Sequence, residues 1–488
     1  MVKRILAILL TVSMITAIVS CSGAPDTESD IPDDSQAVTS AETETEVTTA
    51  SYYETLGERN FDGDTFTILD ANWNPAVFTN IPDEAGMTGE PINDSMYARD
   101  MMLEEKYGVN IEYIQIAGNN NNAGCTALDK EVRAGGTTYD IAVSLAQGGC
   151  FEKLAMDNIL YNLLDAPYLS LQSPWWSKLI HDNLQYNNKL FYTGGDIMPT
   201  MADAPAVTFV NLDLLNDYGI ENNLYELVFD GKWTIDVLAE IIKDKNIDVN
   251  QDGSMEALDD FFGLVSQYNT LTTNGFCASL GMNLSTEKSD GDIVLDLDSE
   301  LSVHKIELLT DLIKELKYTD QEHIIDHTFR TGNALFLSHY MISLRRYLRE
   351  MEDNYGILPM AKYDEKQESY ISFVNAWTSG FVAIPQTANV DKSAFLMEAM
   401  AYASYELIRP NIYEVTFKDK ISRDSESARI IDIIIETCYL DLNSIYNFGG
   451  SLDIIRNTII DKTPFISSYE KQIPAIQKAI DDFKTTMQ

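Results

Sequence analysis

Three phrases frame the stretch of this 488-residue chain that decides its fold: Asp64-Thr-Phe-Thr-Ile-Leu69, Asn93-Asp-Ser-Met-Tyr-Ala-Arg-Asp-Met-Met-Leu-Glu-Glu-Lys-Tyr-Gly-Val109, and Tyr139-Asp-Ile-Ala-Val-Ser-Leu145. The first is rich in β-branched and aromatic residues and predicts a strand. From Ile92 to Tyr107 the apolar residues fall at helical spacing, acids come early, Lys106 comes late, and Gly108 supplies a stop. A second strand is expected over Val109–Ile116, and a helix over Thr126–Ala134 ended by Gly135-Gly136. A short apolar strand then covers Tyr139–Leu145. This β-α-β-α-β order argues for a parallel or mixed sheet covered by helices.

The texture recurs further on. Val207–Val210 reads as a strand, Leu212–Tyr218 as a helix, and Thr234–Asp244 as a helix with Thr234 at its N-cap. From Arg429 to the C-terminus nearly everything has helical periodicity, and no short-period repeat is present.

The N-terminus has a different logic. Lys3 and Arg4 precede an almost wholly apolar run from Ile5 to Val19, which ends in Ile-Val-Ser-Cys at 18–21. Basic, apolar and small-residue regions in that order make a secretory signal peptide, too short for a comfortable membrane span. Residues 1–20 are therefore expected to be removed. The small residues before Cys21 resemble a bacterial lipobox, so Cys21 is expected to carry the lipid, with acyl chains burying at about 0.8 kcal/mol per CH₂. Residues 21–51 are Ser, Thr, Asp, Glu and Ala with few large apolar groups. They cannot repay their chain entropy and should form an acidic tether, with order beginning near Tyr52. Tyr52 and Tyr53 are expected to dock that border onto the folded body. The protein should sit, lipid-anchored, on the extracytoplasmic face of a bacterial cell membrane.

The whole chain has 34 basic and 76 acidic residues. Without Lys3 and Arg4 the balance is 32 against 76, a net charge near −44. That field repels phosphate backbones and excludes nucleic acid as a partner class. Cys125, Cys150, Cys277 and Cys438 form no C-x-x-C pair, so zinc and dithiol redox chemistry find no support. A Cys125–Cys150 disulfide and buried free thiols both remain open. There is no G-x-S-x-G, H-E-x-x-H or G-x-x-x-x-G-K motif. His323 and His327 read as one helix face, and no carboxylate pair stands out among so many. The chain is not expected to be an enzyme or to hold an organic cofactor.

Several phrases in order carry a family resemblance over roughly residues 60–485. Asn93–Val109 ends in an E-x-K-Y-x-V pattern, and Tyr139-Asp-Ile-Ala follows. Phe209-Val-Asn-Leu-Asp-Leu-Leu215 has Leu212 where Lys is common, and Gly231-Lys-Trp-Thr234 and Ala383-Ile-Pro385 complete the set. Together they resemble the extracellular solute-binding lipoproteins of ATP-driven (ABC) importers, in the carbohydrate-binding branch. The resemblance implies an α/β, two-lobe periplasmic-binding-protein-like fold of type II, with discontinuous lobes joined by hinge strands and a helical C-terminus. Lobe one would comprise 52–205 plus 373–425, and lobe two 206–372 plus 426–488. It further implies a monomer that captures a carbohydrate, expected to be an oligosaccharide, and delivers it to the membrane permease of an ABC importer. The alternative is a surface-tethered glycan-binding adhesin or glycan-active enzyme uncoupled from transport.

A sugar cleft needs flat aromatic platforms and amide or carboxylate hydrogen-bonders. Asp70, Asn72 and Trp73 follow the first strand, at the carboxyl end where open α/β sheets place ligands. Gln147 lies just past the third strand. His339 and Tyr340 end the apolar Ala334-Leu-Phe-Leu run, and Trp377 sits beside the expected crossover. Trp175, Trp176 and Trp233 read instead as packing residues. Finally, Asp248-Val-Asn-Gln-Asp-Gly-Ser-Met-Glu-Ala-Leu-Asp259 follows the D-x-[DN]-x-[DN]-G calcium-loop pattern. Asp248, Asn250, Asp252, Ser254, Glu256 and Asp259 would be the ligands of a structural Ca²⁺, with Asp259 standing where the longer Glu is usual.

Overall fold

The computed structural model describes residues 51–71, 80–83, 85–116, 122–220, 223–267, 271–313, 316–319, 322–413, 425–461 and 463–488. Cys21 and the tether fall outside them, as do Asn72 and Trp73. The strands in chain order are β1 (Asp64–Asp70), β2 (Val109–Gln115), β3 (Ile141–Ser144), β4 (Ala206–Asn211), β5 (Phe262–Gln267), β6 (Thr286–Glu287), β7 (Ile293–Val294), β8 (Leu316–Thr319), β9 (Ala334–Tyr340), β10 (Tyr355–Pro359), β11 (Ser372–Phe373), β12 (Phe381–Ala383) and β13 (Cys438–Tyr439).

One sheet runs β12-β3-β1-β2, with β1 parallel to β2 and β3, and β12 antiparallel to β3. Its central strands bury both faces, with Phe66, Ile68, Leu69, Ile141 and Val143 in the core, as expected where helices cover a parallel sheet on both sides. The helix Pro91–Tyr107 connects β1 to β2. Pro91 opens it, the Glu90 carboxylate accepts from Asn93 N, and Gly108 closes it at φ 57°. A Cβ at Gly108 would meet Asn60 Oδ1, so glycine is required there both for the left-handed turn and for space. The helix Ala123–Arg133 leads on to β3.

The second sheet runs β10-β4-β9-β5-β8. Here β9, β5 and β8 are parallel, and β4 is antiparallel to both neighbours. The helix Ile235–Ile242 starts with Thr234 Oγ1 accepting from Val237 N at 3.4 Å. The apolar face of the helix Ser425–Glu436 lies against β10. The helices Glu300–Leu312, Ser451–Asp461 and Phe465–Thr486 pack together beside this sheet.

Two passes of the chain between the sheets run side by side. Pro205 bridges to Val374, Asn375 N donates to Ala204 O at 3.1 Å, and Val374 N donates to Tyr439 O at 2.8 Å beside the β11–β13 pair. Arg345, in the short helix Ile342–Arg346 that follows β9, forms an ion pair with the buried Asp203 of the first pass. The coulombic pull of Asp203 raises the Arg345 pKa above its ordinary value. Such a paired, short crossing can flex only at a few backbone angles, which is what a hinge requires.

The first helix of the described residues is Tyr52–Leu56. Tyr52 packs on Trp175 with ring centres 4.4 Å apart and on Tyr402 at 5.2 Å. The Glu398 carboxylate accepts from Tyr52 Oη, Ser170 N and both indole Nε1 groups of Trp175 and Trp176, at 2.8–3.2 Å. Burial raises the Glu398 pKa even against these donors. Trp233 is buried and donates to Pro359 O. Cys125 and Cys150 are disulfide-bonded, whereas Cys277 and Cys438 are free. Among the described residues no helix is long and apolar enough to cross a membrane.

Candidate functional site

A cavity of about 400 Å³ lies where the two sheets point their strand ends at one another. From the first sheet come Gln147 and Gly148, on the turn after β3, and Glu152 in the next helix. From the second come Thr273 and Asn274, on a π-helical turn after β5, and from the crossing comes Trp377. The far wall is Tyr446, Asn447, Asp453 and Arg456. The carboxyl ends of β3 and β5 therefore face a common space, the place where α/β sheets put ligands.

Local chemistry places each group. Gly148 has φ +85°, and a Cβ there would sit 2.8 Å from two carbons of the Trp377 indole. Only glycine lets the ring lie that close to the turn. Trp377 is itself held by Asn375 Oδ1, which accepts from its backbone N at 3.0 Å. The Glu152 carboxylate accepts from Gly149 N and Cys150 N at the start of its own helix, and burial raises its pKa. On the opposite wall, buried Asp441 accepts from Ser444 N, Ser444 Oγ and Ser285 N at 2.7–2.8 Å. That bonding fixes the helix Leu442–Tyr446 and so aims Tyr446 and Asn447. Tyr446 lies in an aromatic group with Phe448 and Phe483, and burial raises its pKa.

The lobes touch directly. Gln147 Nε2 donates to Ser444 O and, at 3.2 Å, to Ile445 O. Tyr192 and Tyr446 meet through their hydroxyls at 3.3 Å. Asn187 and Lys189 donate to Met487 O and Thr486 O at the end of the last helix.

No family model matches the sequence, and no curated protein matches it either. Solved structures do. A cyclo/maltodextrin-binding protein complexed with maltotetraose is 13% identical with a TM-score of 0.55, over 87% of this chain and 98% of that one. An ABC substrate-binding protein from Listeria monocytogenes in complex with cycloalternan is 13% identical at TM-score 0.53, over 87% and 99%. An ABC transporter solute-binding protein from Agrobacterium radiobacter K84 in complex with ribitol is 12% identical at TM-score 0.54, over 86% and 100%. The chain has the two-lobe, type II periplasmic-binding-protein fold.

In this binding-protein fold the sequence-derived site residues divide. Gln147 and Trp377 line the cavity together. Asp70, His339 and Tyr340 do not. Asp70 ends β1 fully buried, and its Oδ2 accepts from Gln115 Nε2 at 3.0 Å on the neighbouring strand. His339 and Tyr340 are buried in β9, a central strand covered on both faces, and His339 Nδ1 bonds Ser343 Oγ at 2.7 Å. Glu152, Thr273, Asn274, Tyr446, Asn447 and Arg456 were not anticipated. The turn signals Asn274-Gly275 and Asn447-Phe-Gly-Gly450 were the available clues.

The 248–259 loop lies apart from the cleft's lining. Asp248 Oδ2 accepts from Gly253 N, Asn250 Oδ1 from Asp252 N, and Asp252 Oδ1 from Ser254 N, at 2.8–2.9 Å. Buried Asp260, the next residue, accepts from Val249 N and Glu256 N and organises the loop. Glu256 and Asp259 are exposed. Among the described residues no group of three or more His, Cys, Asp or Glu is gathered to hold a metal.

Proposed function

We propose that this protein captures a carbohydrate outside the cytoplasm and delivers it to the permease of an ABC importer, binding without turnover. The observation that carries the reading is the interlobe cavity, where an indole, hydroxyls and carboxamides converge from both lobes. The sugar and polyol complexes among the structural neighbours support it. Mechanistically, a guest touching both lobes stabilises the closed arrangement in proportion to its preference for it. The lipobox-like segment supports anchorage through a lipid on Cys21, with the binding protein working as a tethered monomer. A thermal-shift screen of sugars, peptides and amino acids tests the ligand class. Saturable stabilisation by a sugar, with the sugar recovered intact, is the expected result. Stabilisation by peptides alone, or conversion of the sugar to product, refutes it.

For the 248–259 loop we propose a structural Ca²⁺ that reorganises the turn. Asp248 Oδ1, buried without a hydrogen-bond partner, supports this.

A further inference from the structure

Resting on the carbohydrate reading, we infer that the cleft is built for a short, uncharged saccharide of one or two rings. Thr273 reads one of its hydroxyls, and Gln147 sets the length limit.

Size comes first. The cavity is about 400 Å³, near the low end of the roughly 300–1,000 Å³ typical of ligand sites. One rim is crossed by Gln147, whose carboxamide spans from lobe one to the Ser444 and Ile445 carbonyls of lobe two. A groove closed by such a bridge does not continue along a chain of sugars. Among the described residues, the aromatic side chains of the lining are Trp377, pinned against Gly148, and Tyr446 on the far wall. Two aromatic side chains on opposite walls suit a guest of one or two rings.

Charge comes second. Among the described residues three ionic groups line the space, and each already has a partner within the protein. Glu152 is taken by two backbone N–H groups of its own turn. Asp453 is held by Asn447 Nδ2 at 2.9 Å and by Arg456 at 3.6 Å. Arg456 also donates to Asn457 Oδ1. A uronate or an amino sugar would bring a charge with no counterion to meet it, and burying that charge is costly.

The third observation is a polar atom with nothing to bond. Thr273 is 3% exposed, lines the cavity, and its Oγ1 is buried without a hydrogen-bond partner. Buried hydroxyls are almost always satisfied, and a ligand hydroxyl is the partner that this cavity would supply. The turn bearing it is a single π-helical turn, a local irregularity found frequently at functional sites.

The test is isothermal calorimetry with matched mono-, di- and tetrasaccharides of the malto, cello, xylo and manno series, plus glucuronate and glucosamine. The expected result is a mono- or disaccharide bound at least tenfold tighter than its tetrasaccharide and than the charged sugars. T273V should weaken the best ligand about tenfold while leaving the ligand-free melting temperature unchanged. Q147A should raise the tetrasaccharide-to-disaccharide affinity ratio at least tenfold. A wild-type preference for the tetrasaccharide, or an unchanged ratio in Q147A, overturns the length limit. Unchanged affinity in T273V overturns the role of that hydroxyl, and preference for a charged sugar overturns the charge argument. Binding of peptides but of no sugar overturns the carbohydrate reading, and this inference with it.

Discussion

Removal of the Cys125–Cys150 bond should destabilise the protein and loosen one wall of its cleft together. The bond closes a sequence separation of 25 residues with Cα atoms 5.4 Å apart. In the chain-entropy treatment, a loop of that length gives about 3.5 kcal/mol, because the unfolded chain loses the freedom that the cross-link forbids. The bond fastens the helix Ala123–Arg133 to the turn that carries Gln147 and Gly148 and leads into the helix of Glu152. Its loss therefore frees a segment that lines the cavity. The assay is urea unfolding of wild type, of wild type in reductant, and of the Cys125→Ala/Cys150→Ala variant, followed by ligand titration. The variant should lose about 3.5 kcal/mol, reduced wild type should approach it, and ligand affinity should fall in both. A loss under about 1 kcal/mol with no effect of reductant would show that the two thiols are free and that the wall stands without them.

Stacking in the cleft is checked by substituting Trp73 and Trp377 with Ala. Affinity should fall more than threefold, equivalent to more than about 0.7 kcal/mol, and a smaller change would exclude both residues from the site. In the acidic loop, Asp252→Ala should lower the melting temperature only when calcium is present. An equal drop in chelator would refute the ion. Burial holds the His181 imidazole at about 4, below its ordinary 6.5. The unfolded chain then takes up the proton first, and stability falls as pH drops from 6.5 towards 4. The loss is about 2 kcal/mol at pH 5. His181→Gln should flatten that part of the pH–stability curve, and an unchanged slope would show that the imidazole is not buried neutral.

The first sheet was legible because its signals are local. A strand, a helix opened by Pro91 and closed by Gly108, and another strand follow between Asp64 and Gln115. Gln147 was reachable by the same route, since topology alone puts the residue after β3 at a carboxyl edge. The same rule pointed to Asp70, whose carboxylate accepts from its neighbour Gln115 within the sheet and does not line this cavity. It also pointed to His339 and Tyr340, which lie at the buried end of β9, a strand covered on both faces, and outside this cavity's lining. The lobe-two wall was not readable from local pattern. Tyr446, Asn447 and Arg456 reach the cavity only because Asp441 and Asn443 bond to Ser285 and Leu284, more than 150 residues earlier in the chain. The spacing of the calcium-like loop was plain in the sequence, but Asp260, one place beyond the motif, turned out to organise it.

The most direct test of a two-jawed receptor is small-angle X-ray scattering of the folded protein with and without its tightest sugar. The radius of gyration should fall on titration and saturate at the concentration at which binding saturates, with no new sugar species formed. Identical scattering curves at saturating ligand would contradict closure of the lobes around a guest.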